Sequence, residues 1–178
     1  MDRASDYGSE GWGFEFLRAR FFYIVMDDHT LWMRFALQEA RKARDKNEVP
    51  IGAVIVHEGR IIGRGHNLVE TLQDPTAHAE MLAITSAANS LASWRLDDTI
   101  LYVTLEPCSM CTGAILLARI PTIVFGATDP RYGACGSAVQ IANTDSLDVH
   151  ANIIRGILEP ECKKILQDFF AEIRRRGD

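Results

Sequence analysis

What the sequence lacks narrows the field first. No run of apolar residues approaches the roughly 20 that a membrane-crossing helix needs. No positively charged start, long apolar stretch and small-residue cleavage point mark a secretory leader. Repeats and low-complexity tracts are missing from its 178 residues. Cysteine is scarce at 4, too few for a disulfide-built miniprotein. Nor is there a basic excess. The 19 Lys and Arg stand against 24 Asp and Glu, a net of −5, which argues against coating nucleic acid through long-range charge. What remains, with 47% hydrophobic and 24% charged residues, is a globular chain. It is long enough for one substantial core and too short for two comfortable domains.

The first thirty residues do not match the rest. Met1 to Gly13 is rich in Gly, Ser and Asp, and Phe14 to Val25 is aromatic but interrupted by Arg18 and Arg20. We expect residues 1–30 to form an extension, loose or spurious with Met26 as the start, and residues 31–178 to form the working domain. An added docking helix is the other reading. The segment holds six acids and three bases, so the remainder carries 16 bases against 18 acids. For the domain itself the charge argument against a nucleic-acid partner is weak.

From Trp32 onward, strand and helix patterns alternate. Trp32, Phe35, Ala36, Ala40 and Ala43 recur at helical spacing, and Asn47 with Pro50 closes that helix. Ile51 to Val56 and Arg60 to Gly65 are short strands around a Glu58-Gly59 hairpin turn. Met81, Ile84, Ala88 and Leu91 mark a second helix, entered through Asp74-Pro75-Thr76. Ile100 to Leu105 reads as a strand buried on both faces. A short helix from Cys108, strands Thr122 to Phe125 and Asn152 to Ile157, and a last helix opening at Pro160 complete the pattern. A hairpin followed by strand–helix alternation predicts a three-layer α/β domain with a mixed sheet.

Four cysteines in an acidic chain without a leader pattern point to the reducing cytoplasm, where thiols ligate metals or sit buried. Cys108-Ser109-Met110-Cys111 lets both sulfurs reach one ion, and Pro107 sets up a helix start whose N–H groups favour thiolates. Taken alone, the pair is equally compatible with a redox couple or two core cysteines. His78-Ala79-Glu80 shifts the balance. One His and two Cys leave a fourth tetrahedral position for water, the catalytic zinc pattern, and no fourth protein ligand stands nearby in sequence. Residues two apart do not share a helical face, so Glu80 suits a separate acid/base role rather than a second ligand. Zinc activates water at neutral pH, and a carboxylate beside it can carry the proton to a ring nitrogen and then to departing ammonia. That chemistry is hydrolytic deamination.

His78-Ala79-Glu80 with Pro107-Cys108-Ser109-Met110-Cys111 matches the zinc-dependent nucleobase deaminases. Within that superfamily the sequence resembles the bacterial tRNA-specific adenosine deaminases from about Trp32 to Phe170. The likeness runs through Glu48-Val49-Pro50-Ile51-Gly52-Ala53-Val54, Asp74-Pro75-Thr76-Ala77-His78, Leu101-Tyr102-Val103-Thr104-Leu105-Glu106 and Val124-Phe125-Gly126-Ala127. The resemblance implies a cytidine-deaminase-like α/β/α fold with a five-stranded mixed sheet. It also implies a homodimer, and conversion of the wobble adenosine of an arginine tRNA to inosine. Carried over position by position, His78, Cys108 and Cys111 hold Zn2+ and Glu80 shuttles protons. Asn67 would hydrogen-bond the flipped base, and Asp129 and Arg131 would line the anticodon-loop groove. Phe169 and Phe170 match an aromatic pair near the target base, at least one of them core by periodicity. The leader has no counterpart in the family, and Cys135 stands where a small alanine is common. Three other readings remain open: a small-molecule deaminase of the same superfamily, acting on guanine, cytosine or a riboflavin precursor; a non-catalytic zinc-binding subunit, against which the intact Glu80 counts; and a redox protein.

Overall fold

The computed structural model describes residues 12–145 and 147–177, with side chains from residue 29 onward. Its elements run α1 (Trp12–Asp45), β1 (Gly52–His57), β2 (Arg60–His66), α2 (Val69–Leu72), α3 (Ala79–Leu91) and β3 (Thr99–Leu105), then α4 (Ser109–Leu117), β4 (Thr122–Ala127), β5 (Asn152–Arg155) and α5 (Glu159–Arg176). The strands form one five-stranded sheet ordered β2-β1-β3-β4-β5. The hairpin β1–β2 and the β1–β3 pair are antiparallel, while β3–β4 and β4–β5 are parallel. The sheet is therefore mixed, as expected.

Burial explains the layers. Ala53, Ile55, Leu101, Val103, Ile123 and Phe125 face one way and pack with Ala79, Ala83, Ala87, Ile115 and Leu116 of α3 and α4. Val54, Val56, Tyr102 and Val124 face the other way and pack with Met33, Ala36, Leu37 and Ala40 of α1 and Cys162 and Ile165 of α5. Alternate residues of each strand thus serve opposite cores, which is why β3 reads as a continuous apolar run. Each fully buried Leu or Ile contributes about 1.5–3 kcal/mol.

The helix expected from Trp32 starts at Trp12. No proline interrupts residues 12–45, so the backbone helix continues through most of the expected extension. Its last turn joins the domain, with the His29 Nδ1 2.8 Å from the Tyr102 hydroxyl. Residues 1–11 of that extension, including most of the segment read as a tail, lie outside the described residues. Asn47, in the left-handed region at φ 58, ends α1 where the sequence reading placed its stop. The Glu58-Gly59 turn also forms, both residues at positive φ.

The close seating of α3 on β2 sets the position of the site. A Cβ on Gly65 would stand 2.1 Å from the Ala79 carbonyl oxygen, and one on Gly63 2.4 Å from that of Ala83. Backbone lies directly against backbone, and the Ala79, Ala83, Ala87 stripe supplies the matching small face. This contact pins the first turn of α3, which follows His78. Among the described residues no helix is long and apolar enough to cross a membrane.

Candidate active site

Two helix starts converge at the ends of the central strands. His78 is the N-cap of α3 with extended backbone (φ −75, ψ 155), and Cys108 is the N-cap of α4 (φ −73, ψ 174). Neither has a side-chain cap, so the first-turn N–H groups of both helices are left to favour negative charge there. Chain geometry delivers them. The Asp74 Oδ1 accepts the Thr76 N–H and hydroxyl, both at 2.8 Å, which turns the chain into Ala77 and His78. On the other side β3 runs through Glu106 and Pro107 straight into Cys108.

The His78 Nδ1 lies 3.7 Å from the Cys108 sulfur and 3.5 Å from the Cys111 sulfur. Among the described residues this is the one His/Cys/Asp/Glu group that could hold a metal, its three donor atoms all within 4.8 Å of one another. The arrangement leaves out Cys135 and Cys162, which are buried in the core as free thiols. His57 and His66 sit in the hairpin strands, as expected. The two sulfurs are coupled to each other. The Cys111 thiol and the His78 ring hold Cys108 down to about 4 against burial, and Cys111 is correspondingly pushed far up. His78 is raised, first by its hydrogen bond with Cys108.

Glu80 lies in the first turn of α3 and is only 4% exposed. Burial pushes its carboxyl up to about 7, against the pull of its own backbone N–H and of the His78 ring. A buried carboxyl that exchanges its proton near neutrality is suited to general acid–base work. The cap position removes the spacing reason for giving Glu80 a role separate from that of His78. His78 stands outside the helix, so the i,i+2 rule does not separate it from Glu80.

The remaining predicted site residues are spread around this centre. Asn67 is buried just past β2, and the next residue, Leu68, donates its N–H to Ala77, the neighbour of His78. Asp129 and Arg131 fall on the loop after β4, with Arg131 lining a cleft together with Cys108. Phe169 is core and Phe170 exposed. The ring contact of Phe170 is with Phe169, 5.5 Å between centroids, and no hydrogen bond or ring contact among the described residues joins it to the cluster. Arg176 reaches Asn47 at 3.2 Å, next to Glu48.

Sequence reading missed the buried carboxylates Glu106 and Glu48, whose partners lie around the site. Glu106 accepts the N–H groups of Asp129, Cys135 and Ser137 at 3.0–3.1 Å, and the Ser137 hydroxyl. Glu48, 1% exposed, accepts the Thr71 N–H at 2.6 Å, the Glu70 N–H at 3.2 Å and the Asn67 side-chain amide at 3.4 Å. The available signal was an acid beside a proline at the edge of an apolar strand, in Glu48-Val49-Pro50 and Leu105-Glu106-Pro107.

Glu48 lends itself to a pH test. Burial would push its carboxyl up, but the Thr71 and Glu70 donors more than offset this and hold it below the ordinary 4.5. The folded state then binds this proton less readily than the unfolded chain, so its contribution is complete above pH 4.5 and fades as the pH falls further. Glu48→Gln should cost about 1–3 kcal/mol at neutral pH, the penalty for a buried donor left unmatched. Thermal melts of both proteins from neutral to strongly acidic pH should show the gap closing below that range. A gap independent of pH would mean the charge contributes nothing.

Comparison with known proteins places this site in a family. The model of the MafB19-like deaminases matches residues 27–174. A tRNA-specific adenosine deaminase of Bacillus subtilis (strain 168) is 48% identical over 151 residues, covering 85% of this chain and 94% of the relative. The chain belongs to this deaminase family. A chloroplastic tRNA(adenine(34)) deaminase of Arabidopsis thaliana is 50% identical to the deaminase over 156 residues, 79% of this chain and 12% of that much longer one. Among solved structures, one from a study of A-to-I editing by tRNA:A34 deaminases at the wobble position superposes with a TM-score of 0.74. It is 44% identical and covers 77% of this chain and 99% of its own. The cytidine-deaminase-like α/β/α fold expected of the deaminase is the fold observed.

Proposed function

We propose that this deaminase hydrolyses the wobble adenosine of a tRNA, in the anticodon loop, to inosine, with an arginine tRNA as substrate. The observation that carries the reading is the buried Glu80 beside the convergent His78, Cys108 and Cys111, in a chain whose relatives carry that activity in their names.

Zinc fits the three donors. With ordinary Zn–S and Zn–N lengths and tetrahedral angles, a ligating sulfur and nitrogen stand about 3.6 Å apart. The sulfurs here are 3.7 and 3.5 Å from the His78 Nδ1. Two thiolates and an imidazole are also the soft, borderline set that zinc prefers. Bound there by His78, Cys108 and Cys111, it supplies Lewis-acid activation of a water molecule at neutral pH.

Glu80 carries the protons. Its carboxylate takes one from the attacking water and delivers it to N1 of the adenine ring, which makes C6 attackable. The same carboxylate then takes the second proton from the hydroxyl added at C6 and passes it to the amino group leaving as ammonia, so adenosine plus water gives inosine plus ammonia. In this reading Asn67 hydrogen-bonds the flipped base. Glu48 accepts from its side-chain amide, which leaves the side-chain oxygen to accept from a donor on the base. Arg131 and the Arg174 to Arg176 run supply local positive charge that the whole-molecule sum conceals.

A second copy of the chain completes the assembly. Trp94 and Leu117, 65% and 76% exposed, flank a shallow cleft with Ile84 and Ala88 on the outer face of α3 and α4. Exposed apolar side chains this large suit an isologous interface. Sedimentation at micromolar concentration should report a dimer, and a monomer would remove this part of the reading.

The substrate is tested directly. Purified protein should convert the wobble adenosine of an arginine-tRNA anticodon stem-loop to inosine and leave other adenosines of that RNA intact. Turnover of free guanine or cytosine alone would place the protein among the small-molecule deaminases instead.

A further inference from the structure

One large side chain at the rim is used neither by the core nor by the proton chemistry. Tyr132 lies on the loop after β4 and is 63% exposed. An isolated exposed tyrosine needs no explanation, but the backbone of this one is pinned. The Asp129 carboxylate accepts the N–H groups of Arg131 at 2.9 Å and of Tyr132 at 3.2 Å. Gly133, the next residue, bridges to Cys108 and donates its N–H to the Asp129 carbonyl at 2.9 Å. A Cβ on Gly133 would stand 2.5 Å from the Glu106 carboxyl carbon, so the loop rests directly on that buried acid. The backbone carrying Tyr132 is therefore tied to the same strand end that delivers Cys108.

The surroundings have a definite chemistry. The Arg131 guanidinium lies over the Tyr132 ring, 5.5 Å from its centroid. Tyr132, Arg131, Met110 and Val139 line a cleft of about 260 Å3 together with Cys108 and Ser109. Cys108 is one of the three convergent donors, so the cleft adjoins the cluster at that residue. It combines an aromatic face, a thioether, an aliphatic wall and one fixed cation.

We infer that this cleft is a stacking subsite for a nucleobase flanking the target adenosine in a single-stranded RNA loop, with Tyr132 as its platform. The inference rests on the RNA reading above. Extruding one base into a buried pocket unstacks its neighbours. An aromatic ring on a backbone already held in place restores the lost stacking at little ordering cost, and Arg131 beside it faces the phosphate backbone. A free base or nucleoside has no second ring to place there.

The test uses anticodon stem-loops that are intact or carry an abasic nucleotide immediately 5′ or 3′ of the target. With the unaltered protein, one of the two abasic loops should lose roughly tenfold to a hundredfold in kcat/KM, the range base–aromatic stacking supplies. Tyr132→Ala should lower kcat/KM on the intact loop by a similar factor and abolish the additional abasic penalty. Tyr132→Phe should keep the penalty, because the π-face remains. Unchanged thermal unfolding would show that both variants are folded. An abasic penalty of equal size in Tyr132→Ala and the unaltered protein overturns the subsite while leaving RNA deamination standing. Failure to turn over any stem-loop removes both.

Discussion

Glu80→Gln should keep its metal and lose turnover by about 10²–10⁴-fold, the range that a positioned acid–base group contributes. The substitution is nearly isosteric and replaces a carboxyl already pushed up to about 7 by burial. It resembles the protonated form in shape and charge, so the packing of the first turn of α3 has no reason to change. What is lost is the ability to take and return a proton. Because one group serves both the ring nitrogen and the departing amine, no step downstream bypasses it. Metal analysis and single-turnover inosine formation on one preparation check this together. Turnover within tenfold of the unaltered protein would assign the proton transfer elsewhere. Loss of metal along with activity would make Glu80 a support of the site rather than part of its chemistry.

Each half of the candidate cluster was legible in the sequence because its spacing is local, and the meeting of the two halves across 30 residues was implied by the resemblance to the deaminase motif. Two residues between Cys108 and Cys111, and one between His78 and Glu80, fix which side chains can meet at a helix start. The strands were legible for a similar reason. The Ile100 to Leu105 run has no polar face because the sheet is covered on both sides, by α3 and α4 and by α1 and α5. Strand order was not legible, since the antiparallel β1–β3 and parallel β3–β4 pairings depend on contacts far apart in the chain. Glu48 and Glu106 were missed on the same ground. An acid reads as surface until its distant donors are known, and the amides of Thr71 and Cys135 lie 23 and 29 residues away. The start of α1 was misread because Arg18 and Arg20 break an apolar pattern without breaking a helix.

Cys111→Ala should release the metal, reduce turnover to background and lower the unfolding temperature, whereas Cys135→Ala should do none of the first two. The contrast is between thiols that are all buried and differ in what surrounds them. Among the described residues Cys111 stands with Cys108 and His78 in the one group of donors close enough together to hold an ion, its sulfur 3.5 Å from the His78 Nδ1. Cys135 sits 3.8 Å from the Thr112 hydroxyl, outside that donor group, and burial pushes its thiol up to about 12. Cys162, pushed to about 12 in the same way, packs against Gly126 on the far face of the sheet. A protein that binds its metal in the folded state alone gains RT ln(1 + [L]/Kd), about 4 kcal/mol at a thousandfold excess over Kd, and Cys111→Ala forfeits that gain. Cys135→Ala loses only the packing of a small side chain. Zinc content by elemental analysis, measured beside thermal unfolding with and without chelator, separates the two. Chelator should destabilise the unaltered protein and Cys135→Ala alike and leave Cys111→Ala unmoved. Zinc retained by Cys111→Ala, or lost from Cys135→Ala, would mean that the three convergent donors are not the ligand set.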